Sequence, residues 1–482
     1  MYDAIIVGAG VVGCAIAARL VQYSSNILVL EAADDVSEGA SKANSGIVHA
    51  GYDAEPDTEK ARLNVKGAKM MEDLCLKLGV PFGRPGALVL GFDEEDRKQI
   101  EVLYERSIKN GVDGCEIIER EQILKLEPNI NPDVLCALNV PKSAIVSPYE
   151  LTYALADSAK ENGAEFLLNT KAETFEHKGD FWQVHTNAGT YEAKAIINCA
   201  GCDADRLHNQ ISTRQVEIIP RRGQYYLLDR MDEPVFSRTV FQVPTVLGKG
   251  VLISPTTHGN TLIGPNAEDI ECALDTATTR EGLDEVLGKS AKSWPKKNLR
   301  NVITTFSGVR AHEKDGDFII GAVEGAPEGA FEAIGIESPG LSASPAIGEE
   351  MGDWVAYYLK LKKRGNYRPP TPLPKPFSRM SLKEREEAYR QDPLYGNLVC
   401  RCETVTEAEI RFSIRRPVGA TSVDGVKRRT RAGMGRCQGG FCCLRVAEIL
   451  KEELGESDLL HITKQGAGSE MLVGRLGEED QA

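Results

Sequence analysis

Ala4-Ile5-Ile6-Val7-Gly8-Ala9-Gly10-Val11-Val12-Gly13 decides how this chain folds. Four apolar residues suit a buried parallel strand. A G-x-G-x-x-G turn follows at Gly8, Gly10 and Gly13, and good helix formers continue to about residue 21. The first glycine permits a tight turn, the second lets backbone amides approach a pyrophosphate, and the third lets helix and strand pack closely. A second apolar run, 27–30, ends in Glu31, eighteen residues after Gly13. A carboxylate there accepts from ribose hydroxyls, and the helix N-terminus attracts phosphate. The stretch reads as a β-α-β dinucleotide-binding unit.

Outward from this unit, 58–78 and 150–162 have helical patterns, with a strand expected at 165–168. A hairpin is expected at 181–185 and 190–193, and a separate buried strand at 195–198 before Cys199-Ala200-Gly201. Segments near 224–228, 250–254 and 261–263 read as antiparallel strands, 331–336 as a strand and 344–361 as a helix. Five prolines between 369 and 376 exclude helix and central strand and make a stiff connector. The expected class is α/β: a Rossmann-like nucleotide-binding domain with a mixed or antiparallel-sheet substrate domain, plus a small C-terminal cysteine module. The expected division is a first region at 1–366, a linker at 367–377 and the module with its tail at 378–482. Within the first region, nucleotide-binding parts fall at about 1–80, 145–210 and 300–366, and substrate-domain parts at about 81–144 and 211–299.

The chain has 482 residues, enough for a large core without covalent staples. Its 71 acids against 57 Lys and Arg leave a net charge of −14, which argues against nonspecific binding to nucleic acid or an anionic membrane. No apolar run approaches a membrane-spanning length of about 18 residues. The N-terminus shows no secretory pattern, so a cytoplasmic location is expected, with any membrane association peripheral and through a partner. Of twelve cysteines, seven are scattered between Cys14 and Cys272 and are expected to be buried small hydrophobes.

The other five crowd between Cys400 and Cys443. Cys400 and Cys402 form one close pair, Cys437 and Cys442 another. Four thiolates hold a [2Fe–2S] cluster or a tetrahedral zinc; these spacings differ from the usual zinc C-x₂-C pairs and favour iron. Cys443 is adjacent, and spacing favours Cys442 as the ligand. Between 411 and 436 eight cations face one acid, Asp424. They are expected to offset cluster charge or to dock an acidic electron partner, against the plainer reading of a solvated basic face.

Several motifs together resemble the flavoprotein family that contains D-amino-acid oxidase, FAD-dependent glycerol-3-phosphate dehydrogenase and L-2-hydroxyglutarate dehydrogenase. They are the turn at 8–13, Glu31, Ser45-Gly46-Ile47-Val48-His49-Ala50-Gly51, Asn198-Cys199-Ala200-Gly201 and Gly308-Val309-Arg310. The resemblance spans about 1–360 and implies FAD. It places Ser41, Asn44 and Ser45 along the cofactor, Ala200 and Gly201 near its adenine end, and Gly340, Leu341 and Ser342 near the flavin ring. The module resembles the bacterioferritin-associated-ferredoxin-like [2Fe–2S] domain. More narrowly, Val399-Cys400-Arg401-Cys402-Glu403 and 428–439 resemble the C-terminal part of anaerobic glycerol-3-phosphate dehydrogenase catalytic subunits.

A flavin that takes hydride from a carbinol needs an anion anchor and a base nearby. Arg310 is the anchor candidate for a small phosphate or carboxylate substrate. His49, His258 and His312 are the candidate bases, since imidazole titrates near pH 6.5, and Tyr225 is the further polar candidate. The resemblance implies oxidation of sn-glycerol 3-phosphate, with electrons leaving FAD through [2Fe–2S] to a partner protein or subunit. Arg221-Arg222-Gly223-Gln224-Tyr225-Tyr226 is closer to the L-2-hydroxyglutarate dehydrogenase pattern, which keeps an L-2-hydroxy acid, or an amino acid, as the alternative substrate. A reading of another class is a non-catalytic redox or metal-handling protein.

Overall fold

The computed structural model describes residues 1–231, 234–244, 250–296 and 299–474. The opening unit forms as expected: strand Tyr2–Val7, helix Val11–Leu20 and strand Ile27–Leu30. The two strands pair in parallel, Ile5 opposite Leu28 and Val7 opposite Leu30. Their runs are continuously apolar because both faces are covered. Ala4, Ile6, Ile27 and Val29 enter one core, while Ile5, Val7, Leu28 and Leu30 enter another. Each large aliphatic side chain so buried contributes about 1.5–3 kcal/mol.

This pair lies in an eight-stranded sheet. The strand Gly189–Asn198 is one element where two were expected. Its two halves do different work. Residues 189–193 pair antiparallel with Trp182–Thr186, and 196–198 pair in parallel with Ala330–Ile334, while Tyr2–Val7 flanks the other edge. On the face of this sheet, helix Gly340–Tyr358 packs on Val11–Leu20 and on Glu59–Leu78. A Cβ at Gly348 would lie 2.7 Å from Ala15 Cβ, so that crossing needs glycine. The helix starts at Gly340, not near 344, and holds Pro345 inside it. Proline cannot donate to the Leu341 carbonyl one turn back; the Ser344 hydroxyl donates to that oxygen instead, at 2.9 Å.

A nine-stranded sheet forms the second layer system. Its central feature is the antiparallel pair Ile218–Leu228 and Val302–Glu313, which sets Arg221 opposite Arg310 and Tyr225 opposite Phe306. The segment after Tyr358 forms no helix or strand before residue 377; Leu373 N donates to Leu78 O, so it runs against the first domain. The cysteine module then folds around its own core, which includes Ile410, Val426, Ile449 and Ile462.

Candidate active site and cysteine centre

The end of the first sheet and the inner face of the second enclose a cavity of about 1400 Å³. It is larger than a typical drug-sized pocket of about 300–1,000 Å³. Gly8, Gly10, Glu31, Ser41, Asn44, Ser45, His49, Ala200, Gly201, Tyr225, Arg310, Gly340 and Leu341 line it. Of the residues proposed for FAD and substrate, Gly13, Ser342, His258 and His312 do not.

The glycine turn fits a dinucleotide. A Cβ at Gly8 would sit 2.4 Å from Cys199 O, and one at Gly13 would sit 2.0 Å from Gly8 O. Gly8 also has φ +102°, open to glycine and strained for other residues. Gly13 thus serves packing, not the cavity wall. Helix Val11–Leu20 opens onto the cavity, and its first amide, Val11 N, donates to Ser41 Oγ at 2.9 Å. The Glu31 carboxylate accepts from Ala9 N at 2.8 Å and Ala33 N at 2.9 Å. Burial pushes its carboxyl pKa up against the pull of those amides.

At the other end, His49 is 8 % exposed, and its ring centroid lies 5.8 Å from that of Phe241. Ser342 is wholly buried, and its hydroxyl accepts from His49 N at 2.8 Å; it holds the histidine's backbone and does not meet the cavity. Tyr225 stacks on Phe306 at 4.8 Å and places its hydroxyl 3.3 Å from Ser45 Oγ. Burial raises its pKa, opposed by the charge of Arg310. Arg310 donates to the carbonyls of Arg221, Arg222 and Asn266 through Nε and Nη2. No described carboxylate lies within ion-pair distance of it.

His312 stands one residue back from the cavity wall. Its Nδ1 is 3.1 Å from Glu337 Oε1, and Lys60 Nζ is 2.7 Å from the same carboxylate. Lys60 and Glu337 do line the cavity, and sequence reasoning singled out neither. Burial opposes ionisation of Glu337, but the His312 hydrogen bond and the Lys60 charge override it and hold the carboxyl at about 2.

His258 is placed elsewhere. Its Nε2 is 3.0 Å from Glu150 Oε2, and its Nδ1 is 3.2 Å from Nη2 of Arg379, a residue that follows the proline connector. It sits at the seam between catalytic region and module, and burial lowers its pKa. The neutral Nε2–H tautomer donates to Glu150 and accepts from Arg379. Imidazole chemistry makes this histidine a candidate base, and partners more than a hundred positions away in the chain divert it.

The cysteines pair across the module. Cys402 and Cys437 Sγ atoms are 3.6 Å apart, and Cys400 hydrogen-bonds Cys442. That bond, aided by the amides of Gly433 and Glu403 and opposed by burial, holds the Cys400 thiol below its ordinary range. Among the described residues no three His, Cys, Asp or Glu side chains converge on a single metal ion. Two pairs of thiolates suit a [2Fe–2S] cluster, one pair to each iron. Gly435 is required beside them, since its Cβ would lie 2.4 Å from Cys402 Cβ. Cys443 instead starts helix Cys443–Leu454.

The basic stretch is not a bare docking face. Each of its eight cations has a carboxylate partner. Arg411 and Arg415 meet Glu453, Arg416 meets Asp157, Lys427 meets Asp424, and Arg428 meets Glu38. Arg429 meets Asp35, Arg431 meets Glu403, and Arg436 meets Asp229. Four of these pairs tie the module to the catalytic region. Among the scattered cysteines, Cys14, Cys75, Cys136 and Cys199 are buried as expected, whereas Cys272 is exposed because it lies in the loop after Glu268–Asp269.

This fold and cavity define a flavin enzyme joined to an iron–sulfur module. Residues 3–354 match the model of the FAD dependent oxidoreductase family, to which the chain belongs, and residues 398–452 match the BFD-like [2Fe-2S] binding domain. The cofactors are FAD and [2Fe–2S], and the chain is an oxidoreductase. It is 45% identical over 485 residues, the full length of both chains, to a glycerol 3-phosphate dehydrogenase of Caloramator mitchellensis. It is 34% identical to a glycerol 3-phosphate oxidase of Mycoplasma pneumoniae, over 77% of this chain and 98% of that one. The FAD-bound, dithionite-reduced L-alpha-glycerophosphate oxidase from the same organism superposes with a TM-score of 0.73, at 32% identity over 77% and 99% of the two chains.

Proposed function

We propose that this enzyme oxidises sn-glycerol 3-phosphate to dihydroxyacetone phosphate and passes the electrons through its cysteine module to a partner protein. The observation that carries the reading is the full-length 45% identity to a glycerol 3-phosphate dehydrogenase, module included. When bound, FAD supplies the acceptor for a hydride from the carbinol carbon, and the [2Fe–2S] cluster supplies one-electron exit.

The chain's own residues do the rest. Arg310 grips the phosphate: carbonyls at 221, 222 and 266 fix its Nε and Nη2, and Nη1 makes no hydrogen bond to the described residues. Lys60 and Arg221 line the same cavity wall, their charges met by Glu337 and Asp269. His49 accepts the hydroxyl proton as the carbon loses hydride, and Tyr225 with Ser45 orients that hydroxyl. Gly8, Gly10, Glu31, Ser41, Ala200 and Gly201 would hold FAD's dinucleotide part, with Gly340 and Leu341 on the flavin side of the cavity.

Cys400, Cys402, Cys437 and Cys442 hold the cluster. Cys402 is exposed, and Phe441 beside Cys442 is 92 % exposed, which would leave the cluster accessible to a partner on this side. In this reading 1–366 is the catalytic region, 367–377 the connector and 378–482 the exit module. No helix among the described residues is long and apolar enough to cross a membrane. The reading places the enzyme in the cytoplasm, meeting any membrane through its partner.

Anaerobic mixing tests the substrate. Glycerol 3-phosphate is expected to bleach the flavin absorbance within the turnover time; bleaching by L-2-hydroxyglutarate alone would transfer the assignment to a hydroxy acid.

A further inference from the structure

The segment after the cluster-binding helices reaches back into the cofactor cavity. Gln465 lines it together with Glu31, Ala32, Glu38 and Lys42, and donates from Nε2 to Glu38 Oε2 at 2.9 Å. Glu38 is also gripped by Arg428 of the module at 2.5 Å and by Lys42. The next residue, Gly466, has φ +90°, and a Cβ there would sit 2.9 Å from Asp34 Cβ. A side chain at 466 would therefore collide with that of Asp34.

That loop is not a loose tail. Lys464 N donates to Ser469 O at 2.7 Å and Gln465 N to Ser469 Oγ at 2.7 Å, closing it on itself. Val423 N and Asp424 N donate to the carbonyls of Thr463 and Lys464, which fixes it to helix Val423–Thr430. The same helix carries Arg428 and Arg429, which hold Glu38 and Asp35. The 34–38 segment begins three residues after Glu31, the acid at the ribose end of a dinucleotide in this fold.

We propose that the iron–sulfur module completes the FAD site. Loop 463–470 closes the adenosine end of the cavity through Gln465, so the module's docking and FAD retention are one coupled equilibrium. The coupling is reciprocal by linkage: whatever FAD gains from the docked loop, docking gains from bound FAD. The inference holds whichever substrate is oxidised.

Equilibrium FAD binding by the full-length protein tests it, read as flavin released on dilution, with iron measured on the same samples. Gln465→Ala is expected to raise the FAD dissociation constant about 3- to 10-fold, the scale of one hydrogen bond, with iron content kept. Gly466→Val is expected to raise it further. Unchanged FAD binding in Gln465→Ala, or equal loss of FAD and iron, overturns the proposal. Amide exchange on wild-type protein gives a readout independent of folding in the variants. Adding FAD to flavin-stripped, cluster-loaded protein is expected to slow exchange at 463–470 and 423–430, and no slowing there overturns it.

Discussion

Arg429 of the module sets both its Nη atoms on the Asp35 carboxylate of the nucleotide-binding domain, at 2.6 and 2.7 Å, with both side chains essentially sealed from water. Its guanidinium also lies 3.9 Å from the centroid of the Tyr153 ring. An ion pair so buried is costly to break, because removing one partner strands the other charge; the penalty is about 3–5 kcal/mol.

Asp35→Asn and Arg429→Met are therefore each expected to lower the thermal midpoint and to split one calorimetric transition into two, the module undocking first. The double variant Asp35→Leu/Arg429→Met is expected to recover much of the loss, since apolar replacement of a buried pair is often neutral. Single variants that melt as one unshifted transition would deny the latch.

Cluster assignment is tested by content. Cys442→Ser is expected to lose iron and keep FAD, whereas Cys443→Ser keeps both, because only Cys442 hydrogen-bonds Cys400 and Cys443 turns into its helix. Iron chelation should likewise remove the cluster's visible absorbance and leave the flavin band. Equal iron in the Cys442→Ser protein would reject the ligand set.

Arg310→Lys is expected to lower kcat/KM for glycerol 3-phosphate about 100-fold, since an ammonium cannot reproduce a guanidinium fork on an anion, with a charged hydrogen bond contributing about 1.5–3 kcal/mol. FAD content should not change. A kcat/KM within about two-fold of wild type would remove Arg310 from substrate binding.

Glu337 gives a pH prediction. Its carboxyl is depressed from 4.5 to about 2 in the folded chain, so ionised Glu337 stabilises the fold above pH 4.5, and the contribution is lost as pH falls from about 4.5 towards 2. Two and a half pH units correspond to about 3 kcal/mol. The urea stability gap between wild type and Glu337→Gln is expected to be largest at neutral pH and to narrow on acidification. A gap independent of pH would deny the Lys60–Glu337–His312 cluster its ionic character.

Local spacing was enough for the nucleotide turn, the helix at 59–78, the proline connector and the two cysteine pairs, because each depends on residues a few positions apart in the chain. A glycine turn between an apolar strand and a helix, with an acid closing the next strand, suits a pyrophosphate and ribose, and two close cysteine pairs suit soft-metal chemistry. The pairing within the cysteine set was not local: Cys400 goes with Cys442 and Cys402 with Cys437, across more than thirty residues. Charge misled in the same way. The basic stretch showed one acid nearby, Asp424, which pairs with Lys427; the other seven cations find partners outside it, in Asp35, Glu38, Asp157, Asp229, Glu403 and Glu453.

His258, too, had the right chemistry for a base and was taken up by Glu150 and Arg379, while Glu337 and Gln465 had no local signal and reached the cavity only through folding. Sequence alone determined which cofactors this chain holds, since those motifs are contiguous and obey short-range geometry. Tertiary structure alone decided which charges face the cavity and which bind the two regions together, because charge pairing depends on distance in space and the chain brings residues hundreds of positions apart within 3 Å.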